Sequence, residues 1–110
     1  MSQTSLSIVI FGIDKNLLQQ GSDRLCAKGI NAESYVVSNT PSSDAEIASI
    51  ISCKKWDGLI IGRGVQKDLT WYERILEIVK KANPNVAVID RQDSDDFKSA
   101  VERQFNIQLS

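Results

Sequence analysis

Four times along the chain, a short run of β-branched and aliphatic residues is followed by a longer segment whose apolar residues recur at helical spacing. The runs are residues 5–11 (SLSIVIF), 33–38 (ESYVVS), 58–61 (GLII) and 86–89 (VAVI). Largely apolar strands separated by helices belong to parallel sheets, because each crossover helix covers a face of the sheet. This alternation leaves an α/β fold as the economical reading and sets aside all-β and all-helical architectures.

The punctuation between the runs agrees. Gly12 closes the first strand, Asp14 is placed to cap a helix over 15–28, and Gly29 suits its C-terminal stop. Leu18, Leu25, Gly21 and Ser22 lie near one face of that helix. Asn39-Thr40-Pro41-Ser42 reads as a turn in which Pro41 delays the next helix. The capping-box pattern Ser43-Asp44-Ala45-Glu46 then opens a helix with Ile47, Ile50 and Ile51 as its stripe, running to about Lys55. The GLII strand reads as buried on both faces and leaves through Gly62-Arg63-Gly64. A second capping box, Thr70-Trp71-Tyr72-Glu73, opens a helix with Tyr72, Ile75, Ile78, Val79 and Ala82 inward, ended by Asn83-Pro84. After VAVI, Asp90-Arg91 leads towards a last helix with Phe97, Ala100, Val101 and Phe105 inward.

With 110 residues the chain suits one domain, 1–110, since a second core would have too little sequence. Four βα units joined by right-handed crossovers predict a three-layer α/β/α sandwich, flavodoxin-like or Rossmann-like, around a four-stranded parallel sheet. The favoured strand order is 2-1-3-4, with 3-2-1-4 as the alternative.

Composition removes several chemistries. The chain has no histidine, which excludes an imidazole base, a histidine metal ligand and a histidine pH switch. Thirteen basic against fourteen acidic residues give a net charge of -1, without the broad positive field expected for nucleic acid or an anionic membrane. The start of the chain has neither a basic n-region nor an apolar run long enough for a signal peptide or anchor, so a cytoplasmic protein is expected. Cys26 and Cys53 lack zinc or redox spacing and are expected to be reduced and mostly buried; no metal or cofactor is expected.

In an open parallel sheet, ligands bind beyond the carboxyl ends of the strands. This chain places Gly12, Asp14, Asn39, Thr40, Gly62, Arg63, Gly64, Asp90 and Arg91 there. Gly12-Ile13-Asp14-Lys15-Asn16 is neither a Ser/Thr-rich flavin phosphate loop nor a three-glycine dinucleotide fingerprint nor a P-loop. Gly62-Arg63-Gly64 stands where a receiver domain would carry its phosphorylated aspartate. Flanking glycines permit close approach of a ligand, and Arg63 can hold a phosphate or carboxylate bidentately; a loop-shaping role explains the same residues. For Asp14 the N-cap is the simpler role, and for Asp90 and Arg91 a local ion pair.

Trp71 points about a quarter turn from the inward stripe of its helix, which allows either an exposed partner anchor beside Leu69 or packing over its own helix edge. The short VAVI strand offers an edge for homodimer pairing across a two-fold axis. Together these features favour a non-catalytic protein-interaction or self-associating regulatory module over an enzyme. The alternative is a small-molecule site at the strand ends for a phosphate- or carboxylate-bearing ligand, with Arg63 as anion anchor.

Overall fold

A computed structural model of the chain describes residues 6–53 and 55–89. The elements run β1 (Ser7–Gly12), α1 (Lys15–Ala27), β2 (Asn31–Val36), α2 (Pro41–Ser52), β3 (Gly58–Ile61), α3 (Arg63–Gln66), α4 (Leu69–Ala82) and β4 (Ala87–Ile89). The four described strands form one parallel sheet in the order β2-β1-β3-β4, which is the favoured expectation and excludes 3-2-1-4. Asp90, Arg91 and the last helix expected to carry Phe97, Ala100, Val101 and Phe105 lie outside the described residues.

Strand order and crossover handedness together assign the helices to faces. The chain steps from β1 to β2 in one direction and from β2 to β3 in the other, so right-handed connections put α1 and α2 on opposite faces. The step from β3 to β4 continues the second direction, and α4 joins α2. The core divides accordingly. Val9, Phe11, Leu59 and Ile61 pack with Ile47 and Ile51 of α2 and Ile75 and Val79 of α4. Ile8, Ile10, Ile60 and Ile89 pack with Leu18 and Leu25 of α1. β1 and β3 are central and buried on both sides, which is why their runs are apolar without alternation.

Element boundaries depart from the sequence expectations where tertiary contacts outweigh local preference. β2 begins two residues early, because Asn31 N donates to Leu6 O at 2.9 Å and pairing with β1 fixes the strand's start. It ends at Val36 because its partner strand ends at Gly12. Pro41 does not delay α2: it is the first helical residue, where its missing N–H is no loss and its φ is already helical. The cap is Thr40, whose Oγ1 accepts from Ser43 N at 3.2 Å, while buried Ser43 accepts from Ser38 N at 2.9 Å. α2 stops at Ser52, where the Trp56 indole Nε1 donates to Ile50 O at 2.9 Å and satisfies one of the carbonyls a helix end leaves open. α4 is capped by Asp68 rather than Thr70, with Asp68 Oδ1 accepting from Trp71 N at 3.2 Å.

Burial departs from expectation at Tyr72 and at the two cysteines. Trp71, which the spacing left open between exposure and packing, is buried: with Ile75 and Val79 it forms the i, i+4, i+8 row against the sheet, leaving Tyr72, expected inward, partly buried beside it. Cys26 and Cys53 are free thiols but exposed, since Leu25 takes the inward position beside Cys26 and Cys53 lies just past the end of α2.

Candidate functional site at the strand ends

The order β2-β1-β3-β4 places the topological switch between β1 and β3, so the residues following these strands define the place where a ligand would enter. Gly12 ends β1 directly over the first turns of α1; a Cβ there would stand 2.9 Å from Leu18 Cδ2. Gly62 follows β3 and its N–H donates to Phe11 O at 2.7 Å, binding the two strand ends to each other by backbone. A Cβ on Gly62 would lie 3.4 Å from the same oxygen. Arg63 and Gly64 begin α3, and a Cβ on Gly64 would stand 2.4 Å from Ile13 Cδ1. The glycines around Arg63 therefore admit close approach, and what approaches is the protein's own chain.

The helix N-termini at this end are also occupied. Asp14 Oδ1 accepts from Asn16 N at 3.0 Å and from Leu17 N at 3.3 Å, capping α1 as the sequence suggests. Asp68 does the same for α4 and Thr40 for α2. Two of these three caps are carboxylates, which already answer the positive ends of the α1 and α4 dipoles. An anion at either terminus would meet a negative charge.

Four large apolar side chains are strongly exposed among the described residues: Ile13 at 54%, Leu17 at 61%, Val36 at 51% and Leu69 at 67%. All four belong to this end. Ile13 follows β1, Leu17 is in the first turn of α1, Val36 ends β2 and Leu69 opens α4. Sequence inspection finds Leu69 and misses the others, although one signal was present. Leu17 and Leu18 are adjacent, and the stripe of Leu18, Gly21, Ser22 and Leu25 leaves Leu17 about a quarter turn outside it. Asp68 was legible as well, as an N-cap residue directly before Leu69.

On the β2 side of the same end, Arg74 of α4 joins the β2–α2 connection to the first turn of α2. Its Nη2 donates to Asn39 Oδ1 and, at 3.3 Å, to Asp44 Oδ1, and its Nε lies 3.0 Å from Asp44 Oδ2 as a charge contact without hydrogen-bond alignment. Beside this pair runs an open groove of about 450 Å³ between α2 and α4, floored mainly by Ala45, Ala48, Ile78 and Ala82. Trp71 Nε1 is buried without an acceptor. Tyr35, whose hydroxyl donates to Glu33 Oε1 at 3.0 Å, has its ionisation pushed above the usual tyrosine value, first by burial and then by Glu33.

Among the described residues no group of three His, Cys, Asp or Glu side chains is placed to hold a metal ion, and no helix is long and apolar enough to cross a membrane. No protein-family model, curated protein or solved structure matches the chain.

Proposed function

We propose that this domain is a non-catalytic protein-interaction module that engages its partner through the carboxyl end of the sheet. The observation that carries this reading is the gathering of Ile13, Leu17, Val36 and Leu69 at that one end, while the other large apolar side chains among the described residues are buried or half-buried. Apolar side chains that are individually exposed are ordinary, but their concentration at one end of a domain marks a surface that another apolar surface can cover. The junction between β1 and β3 supports the same reading, because Ile13 lies against Gly64 and the Gly62 amide is taken by Phe11 O, so these glycines face the protein's own chain. The carboxylate caps Asp14 and Asp68 weaken the competing anion-binding reading further, and the absence of histidine removes the commonest general base.

The deciding experiment is thermal unfolding with a panel of nucleotides, sugar phosphates and carboxylates, repeated with Arg63→Ala. A bound ligand at ~100 times its dissociation constant adds about 2.7 kcal/mol, which is several degrees for a domain of this size. No shift is expected across the panel. A shift that Arg63→Ala abolishes overturns the proposal in favour of an anion site at the strand ends.

A further inference from the structure

Among the described residues β2 is an outer strand of the sheet, and its free side carries few of the devices that keep edges apart. Stable monomers blunt their edges with lysine, proline, bulges or very short strands. β2 is six residues long, Asn-Ala-Glu-Ser-Tyr-Val, without lysine or proline, and pairs with β1 in unbroken register from Ser7↔Asn31 to Gly12↔Val36. Asn31 N donates to Leu6 O and Val37 N to Gly12 O, both at 2.9 Å. This parity turns the N–H and C=O groups of Asn31, Glu33 and Tyr35 towards β1, and those of Ala32, Ser34 and Val36 away from the sheet. One outward acceptor, Ala32 O, has a long contact from Cys26 Sγ at 3.5 Å.

We propose that β2 pairs with β2 of a second copy of this chain, antiparallel about a two-fold axis through Ser34, joining two four-stranded sheets into one. In antiparallel pairing, residues whose backbone groups face each other exchange both hydrogen bonds. The axis at Ser34 sets Ser34 opposite Ser34 and Ala32 opposite Val36 of the second copy, so all three outward residues are used. It also covers Val36, half of which is exposed in the single chain. On the other face Glu33 stands opposite Tyr35 of the second copy, which adds cross-strand Glu–Tyr neighbours to the Tyr35–Glu33 hydrogen bond already present within each strand. An axis at Glu33 would face carboxylate with carboxylate, and an axis at Tyr35 would carry Ala32 beyond the end of the opposing strand. Side-chain complementarity thus selects the same register as the backbone. This edge is a different surface from the apolar strand ends and shares only Val36 with them.

The test is sedimentation equilibrium of the whole chain over rising concentration, with amide exchange read on the same samples. The expected result is a doubling of mass, accompanied by concentration-dependent slowing of exchange at Ala32, Ser34 and Val36. Asn31, Glu33 and Tyr35 should be protected at every concentration. Ser34→Pro removes an N–H that the single chain does not use, so it should retain the circular dichroism and melting of the parent and remain a monomer. Val36→Lys, which charges an exposed position on the edge, should also remain a monomer. Leu69→Ser, at the strand ends alone, should leave the dimer intact. A parent chain that stays monomeric throughout overturns the proposal, as does a dimer that survives both edge variants. A dimer lost with Leu69→Ser but kept with Ser34→Pro also overturns it, and assigns self-association to the strand ends.

Discussion

Asp57 and Ser7 exchange two hydrogen bonds at the opening edge of the sheet: Asp57 Oδ2 accepts from Ser7 N at 2.8 Å, and Asp57 N donates to Ser7 O at 2.8 Å. Asp57 O also accepts from Ala87 N at 3.2 Å. One residue before β3 therefore holds the starts of β1 and β4 and sets the register of both against β3. Asp57→Ala should remove the side-chain half of this arrangement and destabilise the domain by about 1.5 kcal/mol, the low end for a hydrogen bond to a charged group because this one is exposed. Asp57→Asn keeps an acceptor and should lose less. Urea denaturation of the two variants, with exchange of the Ser7 amide as the local reporter, checks both statements.

Gly29 carries a φ of +87° between α1 and β2, and a Cβ there would meet nothing within 4 Å. Space is free and only the backbone angle opposes a side chain, so Gly29→Ala isolates the conformational term. The expected loss is about 1 kcal/mol, with Gly29→Asn closer to the parent because asparagine tolerates the left-handed region better. Thermal melting that shows no loss in the alanine variant would mean that the turn does not hold this angle in solution.

Gly64 presents the opposite case, where the angle is ordinary and the space is taken. Its Cβ would stand 2.4 Å from Ile13 Cδ1 and 2.6 Å from Cγ1, so the half-exposed Ile13 side chain has to turn about its χ1 bond to make room. Gly64→Ala should therefore displace Ile13 at a loss of about 1 kcal/mol, the order of an off-rotamer β-branched side chain. In an Ile13→Ala background the clash is gone and the gain in helix propensity should make the same change neutral or stabilising. The double-mutant cycle should return a coupling of at least about 0.5 kcal/mol. Additive effects would mean that Ile13 does not pack on Gly64.

Tyr35 packs its ring 6.3 Å from that of Phe11 and donates its hydroxyl to Glu33. Burial first, and then the Glu33 hydrogen bond and charge, favour the neutral phenol, so its ionisation is raised in the folded chain. A raised value means that the folded state binds the proton more tightly. The contribution to stability is complete below the unfolded tyrosine value and is lost as the pH rises through the higher folded one. In a Tyr72→Phe background, phenolate absorbance should show Tyr35 titrating above a free tyrosine, and Glu33→Gln should bring it back towards that value.

The alternation of apolar runs and helical stripes carried the fold class in the sequence; crossover handedness narrowed the strand order to 2-1-3-4 or 3-2-1-4, and the structure has the favoured first of these. Asp14 as a cap and Gly29 as a stop were equally legible, because each acts on backbone within a few residues of itself. Thr40, Asp68 and the early start of β2 were assigned to neighbouring positions, since competing local signals are decided by pairing partners far along the chain. The strand-end site was half legible. The glycines marked close approach, but nothing local in the sequence says that Ile13 rather than a ligand fills the space beside Gly64. Trp71 was ambiguous for the same reason: its direction depends on which row of α4 meets the sheet.

Arg74 and Asp44 show the limit of such reading, being 30 residues apart with no motif to connect them. Arg74 bonds both Asn39, in the β2–α2 connection, and Asp44 in the first turn of α2, so one guanidinium locks α4 to the start of its neighbour. The side chains are 38% and 24% exposed, so solvent screening limits the pair, and a double-mutant cycle of Arg74→Ala with Asp44→Ala should give about 0.5–1 kcal/mol of coupling. That coupling should shrink in high salt. Arg74→Lys keeps the charge but cannot reach Asn39 and both carboxylate oxygens from one planar group, so it should recover only part of the loss. Full recovery by lysine would reduce the contact to simple charge attraction and remove the geometric role assigned to Asn39.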